Sequence, residues 1–398
     1  MSRTNYDGPA VLSVGFRPFF LAAVVFATLV VPVWWMVWQG EWTLPASFVP
    51  IDWHIHELIF GYGAAVIAGF LFTAVPNWSR RMPTRGWPLL VLSLMWLFGR
   101  IALAGFLPLE AIGVAVVDCA FLLAIAAMIT FEIVAGRNWR NLKVVVPVGL
   151  LCVANIIFHA EVIALGQAAI GRRLGLALVL FLITLIGGRI IPSFTRNWLA
   201  KQGAGLMPAP FGRFDAVCVA AGAVALLMWV TQPNSPVTGV LLMLGGVLHF
   251  ARLSRWRTRT TWRSPLLLML HIAYAFLAVG LLMTGAAAMG WIPAVAGLHL
   301  LGIGAIGGMT VAVMMRATLG HTGRALVAGP LLSLAFALVC SAAILRAATP
   351  GVFVAGLDGI AIAAILWTVG FAILATHMVP WLALPAIANK AASKTGPG

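Results

Sequence analysis

The sequence predicts an all-α integral membrane protein, and three observations predict it. Of the 398 residues, 62% are apolar and only 9% are charged, against roughly 25% charged in a soluble domain. Apolar runs of about 20 residues, the length a helix needs to cross a hydrocarbon core of about 30 Å, recur almost end to end. No ten-residue alternating pattern of a barrel strand appears, so the backbone must satisfy its hydrogen bonds within helices. The formal net charge of +15 would suggest nucleic acid on a soluble fold, but here the charges sit in loops between apolar runs. Membrane lipid is the expected partner, and nucleic acid is not.

Twelve spans follow in order, bounded by Pro, Gly or charge, at about 19–38, 56–75, 87–106, 111–134, 144–166, 170–191, 214–231, 236–251, 265–286, 291–315, 326–346 and 358–379. The first run begins after the string GFRP at 15–18 and continues at spanning length without a small-residue cleavage site, so it is expected to be retained. Trp34, Trp35, Trp38 and Trp42 gather at its outer end, where indoles sit at headgroup depth. The longest hydrophilic stretch, 192–213, is too short for a soluble domain, so residues 1–398 read as one polytopic domain.

Loops after the even-numbered spans carry Arg80, Arg81 and Arg85; Arg137, Arg140 and Lys143; Arg196, Lys201 and Arg213; Arg252, Arg255, Arg257, Arg259 and Arg263; and Arg316 with Arg324. Arg3, Arg17, Lys390 and Lys394 on the terminal segments bring that side to twenty of the twenty-five basic residues, whereas the opposite loops hold only Arg172, Arg173 and Arg346. The positive-inside rule therefore puts both termini in the cytoplasm. The segments PNWSR at 76–80 and PSFTR at 192–196 close the second and sixth spans alike. That echo reads as a trace of duplication or simply as a good helix stop.

Ionisable residues inside a membrane need partners or a cavity, which makes each a functional candidate. His54, His56 and Glu57 open the second span; Arg100 lies in the third, Asp118 in the fourth, His159 and Glu161 in the fifth, and His299 in the tenth, all toward the outer side. A looser set, Arg189, His249, His271, Arg316, His321 and His377, lies toward the cytoplasm. Neutral imidazole is a common ligand for haem iron and copper. Cys119, Cys152, Cys218 and Cys340 lack C-x-x-C spacing and read as core residues. His54 and His56, two apart, point about 200° apart if both are helical, and so would serve two cofactors on opposite faces; if the helix starts at 56, His54 is free to turn inward. Gly304 and Gly308 in the tenth span admit either a flat macrocycle or a neighbouring helix. Met309, Met314 and Met315 read as core before copper ligands. Arg189 and Arg316 suit carboxylates such as haem propionates, or snorkel to the interface.

The strings GFRPFF (15–20), WHIHELIFG (53–61), AGFLFTAVPNW (68–78), GGRIIPSFT (187–195) and the stretch from His299 to Arg324 resemble the NnrS family, bacterial membrane proteins of the nitric oxide response that contain haem and copper. The resemblance spans about 15–380 and implies haem b, copper and a role in protection against nitric oxide and nitrosative stress, by redox or nitric-oxide-binding chemistry. A more distant similarity, twelve spans with histidines in the second and tenth, is to the catalytic subunit of haem–copper oxidases, whose paired histidines and His-Pro-Glu copper motif are missing here.

These resemblances set the expectations. His56 and His299 would be axial ligands of one haem b, with Arg100, Arg189 and Arg316 among the cofactor-binding residues. Copper or a second cofactor would fall to some of His54, His159 and His271, with His321 a further candidate ligand. Asp118 and Glu161 would relay protons, or else pair with Arg100. Quinol from the bilayer would supply electrons to a nitric oxide reductase-like activity. A transporter of a small metal complex or anion, and an assembly factor for denitrification enzymes, are the alternatives.

Overall fold

The computed structural model describes residues 6–203, 205–348, 353–354 and 357–387. Arg3, Lys390 and Lys394, used above to orient the chain, lie outside the described residues, as does the side chain of Arg140. The chain is a bundle of long helices: α1 (Phe16–Trp38), α2 (Pro50–Ser79), α3 (Trp87–Leu103), α4 (Ala111–Ala135), α5 (Leu142–Leu165), α6 (Ile170–Lys201), α7 (Arg213–Thr231), α8 (Pro236–Ser254), α9 (Pro265–Ala288), α10 (Ala294–His321), α11 (Pro330–Ala348) and α12 (Gly359–Ala383). Eleven of these are long and apolar enough to cross a membrane; α3, with 17 residues, is shorter. The only strand pairing among the described residues joins Phe353–Val354 antiparallel to Leu357–Asp358.

Successive helices pack as antiparallel neighbours from α3 to α6, and α8 lies along α9. The last helix returns to the first: α12 packs on both α1 and α11. Arg17, buried at the start of α1, donates from Nη1 to the carbonyls of Leu382 (2.9 Å) and Leu384 (2.6 Å) at the end of α12. Those carbonyls have no partner within their own helix, and a guanidinium is suited to them. Trp367 of α12 donates to the carbonyl of Ala27 (2.8 Å) midway along α1.

Three helices widen locally to the five-residue hydrogen-bonding pattern of a π-helix, at Glu57–Gly63 in α2, Ile183–Gly187 in α6 and Leu300–Gly307 in α10. Such wide turns expose backbone to neighbours and recur at functional sites. Two of them are engaged by side chains from other helices: Trp96 Nε1 donates to the carbonyl of Gly61 (3.0 Å), and Arg252 Nη1 donates to that of Thr184 (2.8 Å).

The glycines of α10 serve helix packing. A Cβ at Gly304 would collide with the ring of Phe276 on α9, and one at Gly308 would touch Ala273. Met309, Met314 and Met315 are buried core residues.

Candidate functional site

The candidate centre lies at the end of the bundle opposite the basic loops, where α2, α3, α4 and α5 each contribute a polar side chain to an apolar interior. Glu57 on α2 and Asp118 on α4 flank the guanidinium of Arg100 on α3: Nη1 donates to Glu57 Oε2 (2.8 Å) and Nη2 donates to Asp118 Oδ1. Gly61, one turn beyond Glu57, makes this possible, because a Cβ there would stand 2.6 Å from Arg100 Nη1. Asp118 Oδ2 accepts from Asn155 Nδ2 (2.8 Å) and His159 Nε2 (3.0 Å), both on α5 and four residues apart on one face. His56 Nε2 lies 2.8 Å from Asn155 Oδ1 and 3.2 Å from Asp118 Oδ2. The rings of His56 and His159 stand 5.2 Å apart between centroids, walled by Phe48, Phe60 and Phe158. Every polar member is buried.

One donor atom each from His56, Asp118 and His159 lies within 4.8 Å of the others, the reach of a single metal ion. Two carboxylates share one guanidinium, so with both imidazoles neutral the cluster carries one uncompensated negative charge in a low-dielectric interior. Burying such a charge costs several kcal/mol, and a proton held between the histidines or a bound cation removes that cost. His56 Nδ1 and Glu57 Oε1, 3.8 Å apart, are both buried without a hydrogen-bond partner. A set of imidazole nitrogen and carboxylate oxygen suits a borderline divalent or copper ion.

Other expected residues fall elsewhere. Both histidines of the W-H-x-H-E string are helical, in Pro50–His56, so they face apart. His56 meets His159, while His54 stacks on Trp34 of α1 (centroids 4.0 Å). Neither a hydrogen bond nor a ring contact joins His299 to His56 or to His54 among the described residues. Trp34, expected at the interface, is buried against that imidazole. The Nδ1 of His54 has no partner, and the Nδ1 of His299 sits on the carbonyl of Val295 (2.8 Å), leaving Nε2 free of that helix bond.

Glu161 is neither beside Arg100 nor part of the cluster. Its carboxylate accepts the backbone N–H groups of Ala169, Ile170 and Gly171 (2.8–2.9 Å) and so caps the start of α6. Asp52 likewise accepts from Ala168 N (2.8 Å), tying the start of α2 to the same turn. Both nitrogens of His271 face backbone carbonyls, Leu267 at 2.9 Å and Trp256 at 3.4 Å. His377 bonds to the carbonyl of Ile373.

Arg189, Arg316 and His321 line a cavity of 890 Å³ at the basic end. Arg189 is nineteen residues along α6 from Ile170, and Arg316 is seventeen along α10 from His299; at 1.5 Å per residue these are about 28 Å and about 25 Å. A single cofactor on the far-end histidines cannot also be held by these two arginines.

Sequence reasoning missed Asn155, although its i, i+4 relation to His159 was a usable signal. It also placed Arg252 among loop charges, whereas the guanidinium is fully buried and donates to Asp215 (3.0 Å) and to Tyr274 Oη (2.9 Å), which in turn lies 2.8 Å from His249 Nδ1.

The comparisons agree with the signature strings that thread this centre, since the sequence profile of NnrS proteins matches residues 10–385. The chain belongs to the NnrS family. That match takes in every helix of the bundle, including the four that build the polar centre around His56, Asp118 and His159. No curated protein matches the sequence.

Proposed function

We propose that this protein is a metal-binding membrane protein of the nitric oxide response, with copper held by His56, His159 and Asp118. The observation that carries this reading is the convergence of three buried ligand atoms within 4.8 Å in a cluster one positive charge short of neutrality. Family membership supports the biological setting. The donor set fits copper, and the buried, unpartnered Nδ1 of His54 together with His299 offers two imidazoles for haem b on the opposite face of α2. When bound, these metals supply one-electron redox chemistry and coordination sites for nitric oxide.

The chain's own residues do the rest. Arg100 holds the carboxylates of Glu57 and Asp118 in place, leaving Asp118 Oδ2 turned to His56 and His159. Asn155 fixes the carboxylate against His159, in the manner of the outer hydrogen bonds that orient metal ligands. The phenylalanine walls exclude water, so a proton arriving at the cluster is retained by His56, His159 or Asp118 rather than lost to solvent. If protons are consumed, the paired imidazoles of His56 and His159 are the groups placed to hold and deliver them, and quinol in the bilayer is the matching electron donor. We count α3 as a twelfth span, since 17 residues reach the lower limit of spanning length, and place the basic loops and both termini in the cytoplasm of a bacterial inner membrane.

Metal analysis and optical spectra of purified protein test this. The expected result is copper lost in His56→Ala and His159→Ala, with a haem band, where present, altered instead by His54→Ala and His299→Ala. Protein that retains wild-type metal content in His56→Ala and His159→Ala overturns the assignment.

A further inference from the structure

The 890 Å³ cavity at the basic end plays no part in the metal reading. Four of its wall residues are cations, Lys143, Arg189, Arg196 and Arg316, drawn from α5, α6 and α10, and no carboxylate lines it. Their charge is not spent on ion pairs: none of the four makes a salt bridge to a described acid, and Arg196 reaches only the carbonyl of Pro208 (3.1 Å). Two guanidiniums lie against aromatic faces of the cavity, Arg316 4.0 Å from the centroid of Phe194 and Arg189 5.5 Å from that of Trp78. Those stacking contacts hold the cations in place while leaving their N–H groups directed to other partners. Apolar side chains complete the wall, and the cavity sits near helix ends among basic loops, the level at which spanning helices meet lipid headgroups.

Four cations line one cavity with no carboxylate among its wall residues, and in a partly apolar enclosure water screens their charge poorly. A ligand that joins an acid group to an apolar body supplies the counter-charge and fills the walls. A bilayer presents that chemistry at this depth as a phosphate ester on acyl chains, and basic pockets between spanning helices recognise such headgroups. We infer that this cavity is a binding site for an anionic phospholipid, its phosphate between Arg189 and Arg316 and its acyl chain against the apolar wall. The inference is independent of the metal cluster, which lies at the other end of the bundle.

Native mass spectrometry and intrinsic tryptophan melting of the detergent-purified protein, titrated with phosphatidylglycerol, phosphatidylcholine or inorganic phosphate, test it. The expected result is one tightly retained phosphatidylglycerol per chain and a concentration-dependent rise in Tm, with phosphatidylcholine at least tenfold weaker. Each cation contributes about 1 kcal/mol to such binding, so Arg189→Gln with Arg316→Gln should weaken it about thirtyfold, and Arg259→Gln, an exposed cation of the same end outside the cavity, should leave it unchanged. Should the double variant not fold, Lys143→Gln alone is expected to weaken binding about fivefold. Equal binding of both lipids, wild-type affinity in the cavity variants, or an equal loss in Arg259→Gln overturns the assignment. Inorganic phosphate binding as tightly as phosphatidylglycerol also overturns it, by showing a site for a soluble anion. Metal content is read on the same samples, so failure of this site is separable from failure of the metal centre.

Discussion

Arg100 is the side chain on which the polar cluster depends most, because its removal leaves Glu57 and Asp118 as two buried carboxylates with no guanidinium between them. Breaking a buried ion pair by deleting one partner costs about 3–5 kcal/mol. Arg100→Met is therefore expected to lower the melting transition sharply, and adding Asp118→Asn should restore part of the loss, since it removes one uncompensated charge. A double variant no more stable than Arg100→Met would contradict this charge balance. The same balance sets the pH dependence of metal uptake. A cation that enters the site displaces the proton which otherwise neutralises it, so apparent affinity should rise by about tenfold per pH unit while one proton is released. Titration of metal binding from pH 5.5 to 8 checks both the sign and the slope; affinity that falls with rising pH excludes a displaced proton.

At the scale of single helices, the device that opens α6 is a carboxylate from the previous helix. Glu161 satisfies three N–H groups that no carbonyl of α6 can reach. Glu161→Ala should cost about 1 kcal/mol, in the range of other N-terminal caps, and leave metal content unchanged, an outcome that separates capping from proton relay. Close packing of α9 and α10 makes a second test. A Cβ at Gly304 meets the Phe276 ring, whereas one at Gly302, two residues away, meets nothing within 4 Å. Gly304→Ala should destabilise by about 1–3 kcal/mol through overpacking, and Gly302→Ala should be neutral or slightly stabilising because alanine favours helix. Paired thermal melts read the contrast directly.

Across the whole molecule, the ends of the first and last helices meet through Arg17, which fixes both at the same end of the bundle. This arrangement, with the segregation of basic loops, gives a labelling prediction. A thiol placed at Gly205, in the loop after α6, should react only with reagents that reach the cytoplasm, and one at Gln167, in the loop before α6, only with reagents outside. Both positions are exposed; exchanged sides would reverse the proposed topology, and labelling of both from one side would break it.

Class and helix order were legible in the sequence because each depends on local properties: run length and run composition. Candidate residues were legible for the same reason, since any ionisable group within an apolar run stands out. His56, Arg100, Asp118 and His159 were singled out at similar depth, and depth is what sequence position along a span conveys. Which residues share a face across helices is set by rotation and neighbour choice, and these are decided by packing. Only the tertiary structure paired His56 with His159 and His54 with Trp34, turned Glu161 from the cluster to a helix start, and buried Arg252 against Asp215. Asn155 is the sharpest case: as an uncharged residue in a span it carried little weight alone, and its role appeared once α2, α4 and α5 brought His56 and Asp118 to it. A one-dimensional pattern records depth and periodicity, whereas a binding site needs the relative rotation of four helices, and that follows from where glycines such as Gly61 let them approach.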